Sequence, residues 1–258
     1  MRNVYITGWG MVKCGRFTNE RIQDKAAEAS IRALEDAGIG WHEIEAMYAS
    51  HVQQGISAGQ AVAYKIGMTG LNVTNVENAC CSGTTALEKA YYDVANGRYD
   101  AVLVVGFEKM QKGPVDPGMT DRSFADLLGL EVMPAVYAMR AARHMQLYGT
   151  TREQLAKVSV KNHKNGVYNP YAHYQKEVTM EEVLASRMIA DPITLLQSCP
   201  TTDGAAAIVV ASEKYVKRNG GKVSPRVAGI AVGTLKYDPE DDHVARTAKK
   251  VYEMAGIG

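Results

Sequence analysis

The chain has 258 residues, 29 of them basic and 28 acidic, for a formal net charge of +1. That balance leaves no basic excess to neutralise a nucleic-acid backbone, and no stripe of Lys and Arg runs through the sequence. No run is long and apolar enough to span a membrane, and the opening MRNVYITGWG lacks the apolar core of a signal peptide, which implies a cytoplasmic protein whose four cysteines are reduced.

Strand-like and helix-like segments alternate from the first residues. NVYITGWG (3–10) reads as a strand ending in glycines. RIQDKAAEASIRALEDAG (21–38) places Ile22, Ala26, Ala29, Ala33 and Ala37 at helical spacing and stops at Gly38. Residues 45–52 read as a strand, 58–67 as a short helix, and NVTNVENA (72–79) as a β-branched strand running into Cys80 and Cys81. The next helix carries an apolar stripe of Ala86, Leu87, Ala90, Tyr91 and Val94, with Glu88, Lys89, Asp93 and Asn96 turned outward. DAVLVVGFE (100–108) is almost wholly apolar, the pattern of a strand covered on both faces. This order predicts a layered α/β domain with a largely parallel sheet.

From about residue 109 to 200 the rhythm changes. Gly113, Pro114, Pro117 and Gly118 predict a loop, 134–149 a helix, and 152–166 another capped by Thr150 or Thr151. TMEEVLASRMI (179–189) opens with the capping-box spacing Thr179-x-x-Glu182 and predicts a third helix. The region reads as a helical insertion, after which the sheet resumes at GAAAIVVAS (204–212) and gains a strand at RVAGIAVGTL (226–235). Residues 24–40 and 242–258 align without gaps, sharing Asp24/Asp242, Ala27/Ala245, Glu35/Glu253 and a terminal Ala-Gly-Ile-Gly. A match this short also arises by chance between amphipathic helices ending in Gly. Read as a repeat, it makes 242–258 the second copy of the opening unit.

The two adjacent cysteines sit where a strand gives way to a helix. Free backbone N–H groups and the positive end of the helix dipole at such a joint favour a thiolate. The same N–H groups can hold the negative oxygen that forms when a thioester is attacked, and the small residues Ser82, Gly83 and Thr84 leave room for a carbonyl. A pair of small cysteines packed between strand and helix fits the spacing equally well. Neighbouring cysteines form only strained disulfides, which argues against Cys81 as a redox partner. No C-x-x-C pair is present, and His163 and His173 lack the spacing of a helical ligand pair, so no metal is expected. Cys199, before Pro200, reads as packed, and Asp203-Gly204 as a turn.

VENACCSGTTAL, followed by GRYDAVLVVGFEKM, resembles the nucleophile region of the thiolase superfamily, in particular its sterol-carrier-protein-like and archaeal acetyl-CoA acetyltransferase branch. The likeness continues through residues 160–175, 186–194 and 199–210. Where many thiolases have Asn three residues before the nucleophile, this chain has Glu77. The resemblance implies a layered α-β-α fold with a mixed, mostly parallel sheet and a helical loop-domain insertion. Residues 1–108 would be the first part of the core, 109–200 the insertion, 201–240 the return strands, and 241–258 the start of a C-terminal half that the chain otherwise lacks.

By the same resemblance Cys80, rather than Cys81, is the nucleophile of an acyl-CoA acyltransferase, an acetyl-CoA acetyltransferase or 3-ketoacyl-CoA thiolase. Its backbone N–H would be an oxyanion donor. Coenzyme A thioesters are the implied substrates, with no bound cofactor. Lys112, Arg122, Arg140, Arg143, Lys161 and Lys164 would be candidates for the coenzyme A phosphates, and each also reads as a solvated surface cation. The family's activating His, its oxyanion site and its second Cys belong to the C-terminal half, and no residue here matches them by motif. Three readings follow: part of a longer enzyme, one subunit of a split enzyme, or a non-catalytic acyl-CoA-binding or scaffold subunit beside a small zinc- and OB-fold-containing partner. A related condensing or retro-aldol enzyme is the alternative within catalysis, and the retained cysteine disfavours its retro-aldol branch. Relatives imply a homodimer or tetramer, and an uncovered half would tend to associate.

Overall fold

The computed structural model describes residues 1–111, 132–220, 224–234, 236 and 242–258. Its strands are β1 (Val4–Met11), β2 (Ala46–Ser50), β3 (Asn72–Val76), β4 (Ala101–Glu108), β5 (Met188–Ala190), β6 (Ile193–Thr194) and β7 (Gly204–Ser212). Its helices are α1 (Ile22–Ala37), α2 (Ala58–Ile66), α3 (Ser82–Ala95), α4 (Met133–Tyr148), α5 (Arg152–Val167), α6 (Met180–Ala185), α7 (Glu213–Arg218) and α8 (His243–Ala255). No described helix is long and apolar enough to cross a membrane. The chain forms two compact units, one of Met1–Val12, Arg16–Lys109 and Asp203–Gly258, the other of Lys13–Gly15 and Met110–Thr202.

The first unit is built on a five-stranded sheet in the order β1-β7-β4-β2-β3. β2 pairs in parallel with β3 and β4, whereas β7 pairs antiparallel with both β4 and β1. Four strands therefore run one way and β7 runs against them. The alternation of side chains gives each face its own core. Met47, Ala49, Leu103, Val105 and Val209 meet α1 and α2 on one face. Ala46, Tyr48, Val102, Val104 and Val210 meet α3 on the other. Each such fully buried Val or Leu contributes roughly 1.5–3 kcal/mol.

Two contacts fix the helices at close range. α1 lies directly on β1 because Gly8 and Gly10 have no side chains: a Cβ on Gly10 would stand 2.2 Å from the Ala29 carbonyl oxygen and 2.5 Å from the Ala33 nitrogen. On the opposite face the buried Tyr48 hydroxyl donates to Asp93 of α3. Burial first, then that bond and the Asp93 charge, hold the phenol well above its ordinary pKa.

The internal match recurs in part in three dimensions: the helix starts differ, since Asp24 lies within α1 while its counterpart Asp242 precedes α8 as its cap, and the helix ends agree. α8 begins at Asp242, whose Oδ1 accepts from the Val244 and Ala245 N–H groups at 3.0 Å each. α1 and α8 end alike, at left-handed Gly38 (φ 71°, ψ 33°) and Gly256 (φ 71°, ψ 30°). Gly229 also lets α8 approach as Gly8 does α1: a Cβ there would stand 2.6 Å from the Val251 carbonyl oxygen, as one on Gly8 would stand 2.4 Å from that of its counterpart Ala33. Burial differs between the copies. Ala26 and Leu34 of α1 are 0 and 5 % exposed, and their counterparts Val244 and Tyr252 are 66 and 51 % exposed.

The expected strand at 226–235 is not formed over its described residues. Only Arg226 bridges to Tyr5, with Val227 donating to Val4 at 2.9 Å. Beyond it the N–H groups turn to side chains: Ile230 to the Met254 sulfur at 3.5 Å and Val232 to Glu88 Oε1 at 3.2 Å. A ladder needs those donors, so it stops.

In the second unit Thr151 caps α5 and accepts from the Gln154 N–H at 3.3 Å, while Thr179 and Glu182 close the capping box of α6 at 3.1 and 2.8 Å. The helix expected over 179–189 ends at Ala185. Residues 188–194 form the β5–β6 hairpin around Pro192, which cannot continue a helix and biases Asp191 towards extended backbone. The buried Thr194 hydroxyl ties the hairpin to α6 through the Val183 carbonyl at 2.9 Å. The loop expected at residues 113–118 lies outside the described residues.

Because the Gly10 contact is to backbone rather than to a yielding side chain, Gly10→Ala is expected to lower unfolding stability by about 2–3 kcal/mol. Urea denaturation reads this as a lower midpoint at unchanged slope. Gly15→Ala, where a Cβ meets nothing within 4 Å, is the control and should stay within about 0.5 kcal/mol of the parent.

Candidate active site

The C-terminal ends of β2, β3 and β4 meet at one edge of the sheet, where Ser50 is in register with both Val76 and Gly106. Ligands of open α/β sheets bind outside such an edge. Beyond β4, Glu108 turns its carboxylate to the segment leaving β2, accepting from the Val52 and Gln53 N–H groups at 2.7 and 3.3 Å and from the Gln54 side chain. Beyond β3 come Glu77 and Asn78, then a single 3₁₀ turn of Ala79–Cys81, then α3 with Cys81 as its N-cap.

That turn has unusual backbone. Ala79 has φ of 46°, in the left-handed region that costs a residue other than glycine roughly 1–2 kcal/mol. Four hydrogen bonds hold it. Glu77 Oε1 accepts from the Ala79 N–H at 2.7 Å. The Ser82 hydroxyl accepts from the Asn78 N–H at 2.8 Å and donates to the Ala79 carbonyl at 2.7 Å. The Cys81 N–H closes the turn on the Asn78 carbonyl at 3.0 Å. The Asn78 side chain also reaches forward to Thr85 Oγ1 at 2.9 Å.

The outcome is that Cys80 and Cys81 are both exposed, so the packed-pair alternative is overturned. A residue forced into left-handed backbone just before Cys80 turns the chain outward instead of letting it run directly into the helix. The Cys80 backbone N–H has no hydrogen-bond partner among the described residues. Cys199 is exposed as well, not packed, because it lies in open chain after the 3₁₀ turn Leu195–Gln197. Cys14 is half-buried, and burial pushes its thiol up. Asp203, read from sequence as a turn residue, is a buried anchor: it accepts from the Phe17 N–H at 2.8 Å and pairs with Arg16 at 3.3 Å.

His51 follows β2 at the same edge and is 9 % exposed. Its ring faces Phe107 at 5.5 Å and the Asn75 carboxamide at 3.4 Å. Phe107 belongs to the core beneath α1 and α2, on the sheet face opposite α3. No hydrogen bond or ring contact joins a histidine to Cys80 among the described residues.

The second unit holds a cavity of about 420 Å³ lined by His163, Tyr174, Lys176, Val178, Glu182, Ala185, Ser186 and Leu196. His163 and Tyr174 stack at 5.9 Å with 13° between their planes, and His163 Nδ1 lies 3.1 Å from the Lys176 carbonyl. Its size falls in the range of small-molecule sites. Arg140 and Arg143 are exposed on α4 and Lys161 and Lys164 on α5, and none of them lines the cavity. Arg122 and Lys112 lie outside the described residues. The aromatic wall is not legible in the sequence because α5 ends at Val167, so the approach of Tyr174 to His163 depends on how the irregular segment after the helix folds back. His173 pairs with Thr202 at 2.6 Å, and among the described residues no group of three His, Cys, Asp or Glu could hold a metal ion.

Comparison with known proteins gives one consistent family. The profile described as thiolase, N-terminal domain, matches residues 4–214. Sterol carrier protein 2 of Bos taurus is 39 % identical over 286 residues, covering 100 % of this chain and 52 % of the relative. Acetyl-CoA acetyltransferase of Methanothermobacter thermautotrophicus is 36 % identical over 273 residues, covering 100 % and 71 %. Among solved structures, a chain of the Ltp2-ChsH2(DUF35) aldolase superposes with a TM-score of 0.83 at 24 % identity over 99 % of this chain and 70 % of that one, a likeness of fold. The chain thus spans about half the length of the sterol carrier protein 2 relatives it matches. On the family match and on a fold in which an exposed cysteine turn joins β3 to α3, the chain belongs to the thiolase family.

Proposed function

We propose that this chain takes an acyl group from a coenzyme A thioester onto Cys80. The Cys80 sulfur attacks the thioester carbonyl carbon, a new carbon–sulfur bond forms as the bond to coenzyme A breaks, and the proton of the Cys80 thiol passes to the departing coenzyme A sulfur. The exposed position of Cys80 on a left-handed turn at the sheet edge carries this reading. Its backbone N–H, without a partner among the described residues, would serve as a donor to the oxygen that becomes negative, and preorganised donors of this kind supply much of the stabilisation in acyl transfer. The thiolases and acetyl-CoA acetyltransferase among its relatives support the substrate class.

The acyl-cysteine is half of a full thiolase cycle. Passing the acyl group to a second acyl-CoA, or to free coenzyme A in the other direction, requires a base and a second thiol that no residue of this chain supplies by motif. We assign those groups to the remainder of a longer polypeptide or to a second subunit. The likeness to a chain from a DUF35-containing aldolase complex favours a second reading, in which this chain works beside a partner of that type.

The cavity of the second unit, taken by itself, is proposed as a site for a nucleotide such as that of coenzyme A. The His163–Tyr174 stack offers a flat platform for a base, and Lys176 a cation for phosphate. Arg140, Arg143, Lys161 and, beyond the described residues, Arg122 remain proposed as outer phosphate contacts.

Incubation with acetyl-CoA followed by intact mass spectrometry is expected to show one hydroxylamine-sensitive acetyl adduct. It should be absent from Cys80→Ser and retained in Cys81→Ser. An adduct that survives Cys80→Ser would remove Cys80 from the role, and saturable coenzyme A binding without any adduct would favour the partner-bound, non-catalytic reading. Loss of one stacking ring is worth about 1–2 kcal/mol, so Tyr174→Ala should weaken coenzyme A binding by roughly tenfold in calorimetric titration. Unchanged affinity would place the nucleotide elsewhere.

A further inference from the structure

We infer that Glu77 is a positioning residue for Cys80: its carboxylate holds the Ala79 turn in left-handed backbone and so fixes where the Cys80 sulfur stands. The inference deepens the acyl-transfer reading and rests on it, because it gives Glu77 a part in presenting the proposed nucleophile. Ala79, immediately before Cys80, has φ of 46°, a conformation that alanine leaves unless its surroundings over-determine it. Two side chains bond directly to its backbone, from opposite directions. Ser82, from the first turn of α3, holds the Ala79 carbonyl at 2.7 Å. Glu77, from the end of β3, holds the Ala79 N–H at 2.7 Å.

The two grips are not equivalent. Ser82 is 5 % exposed and locked in the helix, and its hydroxyl is shared with the Asn78 N–H at 2.8 Å. Glu77 is exposed, makes no ion pair among the described residues, and is the Ala79 N–H group's acceptor there. Without Glu77 that N–H would turn to water, and the peptide plane between Asn78 and Ala79 would be held on its carbonyl side alone, by the Cys81 N–H at 3.0 Å, and so would rotate more readily. Rotation of that plane moves Cys80, the next residue, more than it moves the helix behind it. Glu77 therefore acts on the sulfur through the backbone and needs no contact with substrate.

The test reads two rates on the full chain: alkylation of Cys80 by iodoacetamide, resolved residue by residue by mass spectrometry, and acylation of Cys80 by acetyl-CoA. Glu77→Ala is expected to slow both by about tenfold. Glu77→Gln keeps an acceptor oxygen at the same reach and should stay within about twofold of the parent. Glycine adopts left-handed backbone unaided, so in an Ala79→Gly chain the added Glu77→Ala should cost little or no further rate. A general loss of stability would not produce that non-additivity.

Equal alkylation of the parent and Glu77→Ala overturns the inference, as does a tenfold loss that persists in the Ala79→Gly background. A Glu77→Gln chain that falls as far as Glu77→Ala also overturns it, since the charge and not the acceptor would then matter. Should Glu77→Ala fail to fold, the Gln variant and the Ala79→Gly pair decide the question. Iodoacetamide needs no acyl-CoA, so a parent chain that is alkylated but never acylated sinks the acyl-transfer reading and leaves the role of Glu77 to be decided on alkylation alone.

Discussion

The close seating of α3 on the sheet is the constraint from which the cysteine turn follows. Ala86 and Ala90 are fully buried against β2 and β4, and a Cβ added at Gly83 would stand 3.9 Å from the Ser50 hydroxyl. Gly106 is tighter still, since a Cβ there would meet that hydroxyl at 3.0 Å. Small side chains at these positions bring the helix start down to the strand ends. The connection from Val76 to Ser82 then has only five residues in which to reverse from the sheet edge to the helix axis. Left-handed backbone at Ala79 is how that short connection is made. The exposed cysteines are a by-product of the reversal as much as of their own chemistry.

The alternating strands and helices of the first unit were legible because each carries a local period. The apolar run of β4 and the Ala86-Ala90-Val94 stripe of α3 are examples. The strand order was not legible, for it depends on pairings far apart in sequence. β7 looks like any buried strand, and nothing in GAAAIVVAS says that it runs antiparallel between β1 and β4. RVAGIAVGTL has the composition of a strand but not its pairing. Its glycines serve close approach to α8, and its N–H groups go to Met254 and Glu88, so an extended-looking pattern formed one bridge instead of a ladder. In TMEEVLASRMI the capping box was sound, and what cut the helix short was a hairpin whose pairing lies downstream, at Thr194.

At the candidate site the joint between strand and helix could be placed from sequence, since β-branched residues end where small ones begin. The left-handed Ala79 could not, because alanine announces no such backbone, as glycine or asparagine would. Glu77 stood out only as a departure from a family pattern, and its hydrogen bond to Ala79 becomes visible once the turn is built. The cavity of the second unit was hidden for a different reason: its walls come from segments that only tertiary packing brings together.

The reversed strand has one more result. Glu108, at the end of β4, lies directly opposite Gly204, at the start of β7. The long excursion between them thus leaves and re-enters the sheet at neighbouring points, as the loop of a very large hairpin does. The entropy of closing such a loop grows only with the logarithm of its length, by about 0.6 kcal/mol for each doubling. Evolution can lengthen, shorten or replace that excursion at little thermodynamic penalty to the sheet. In this architecture the sheet beneath the cysteine closes around its longest excursion at an entropic cost that hardly depends on how long that excursion is.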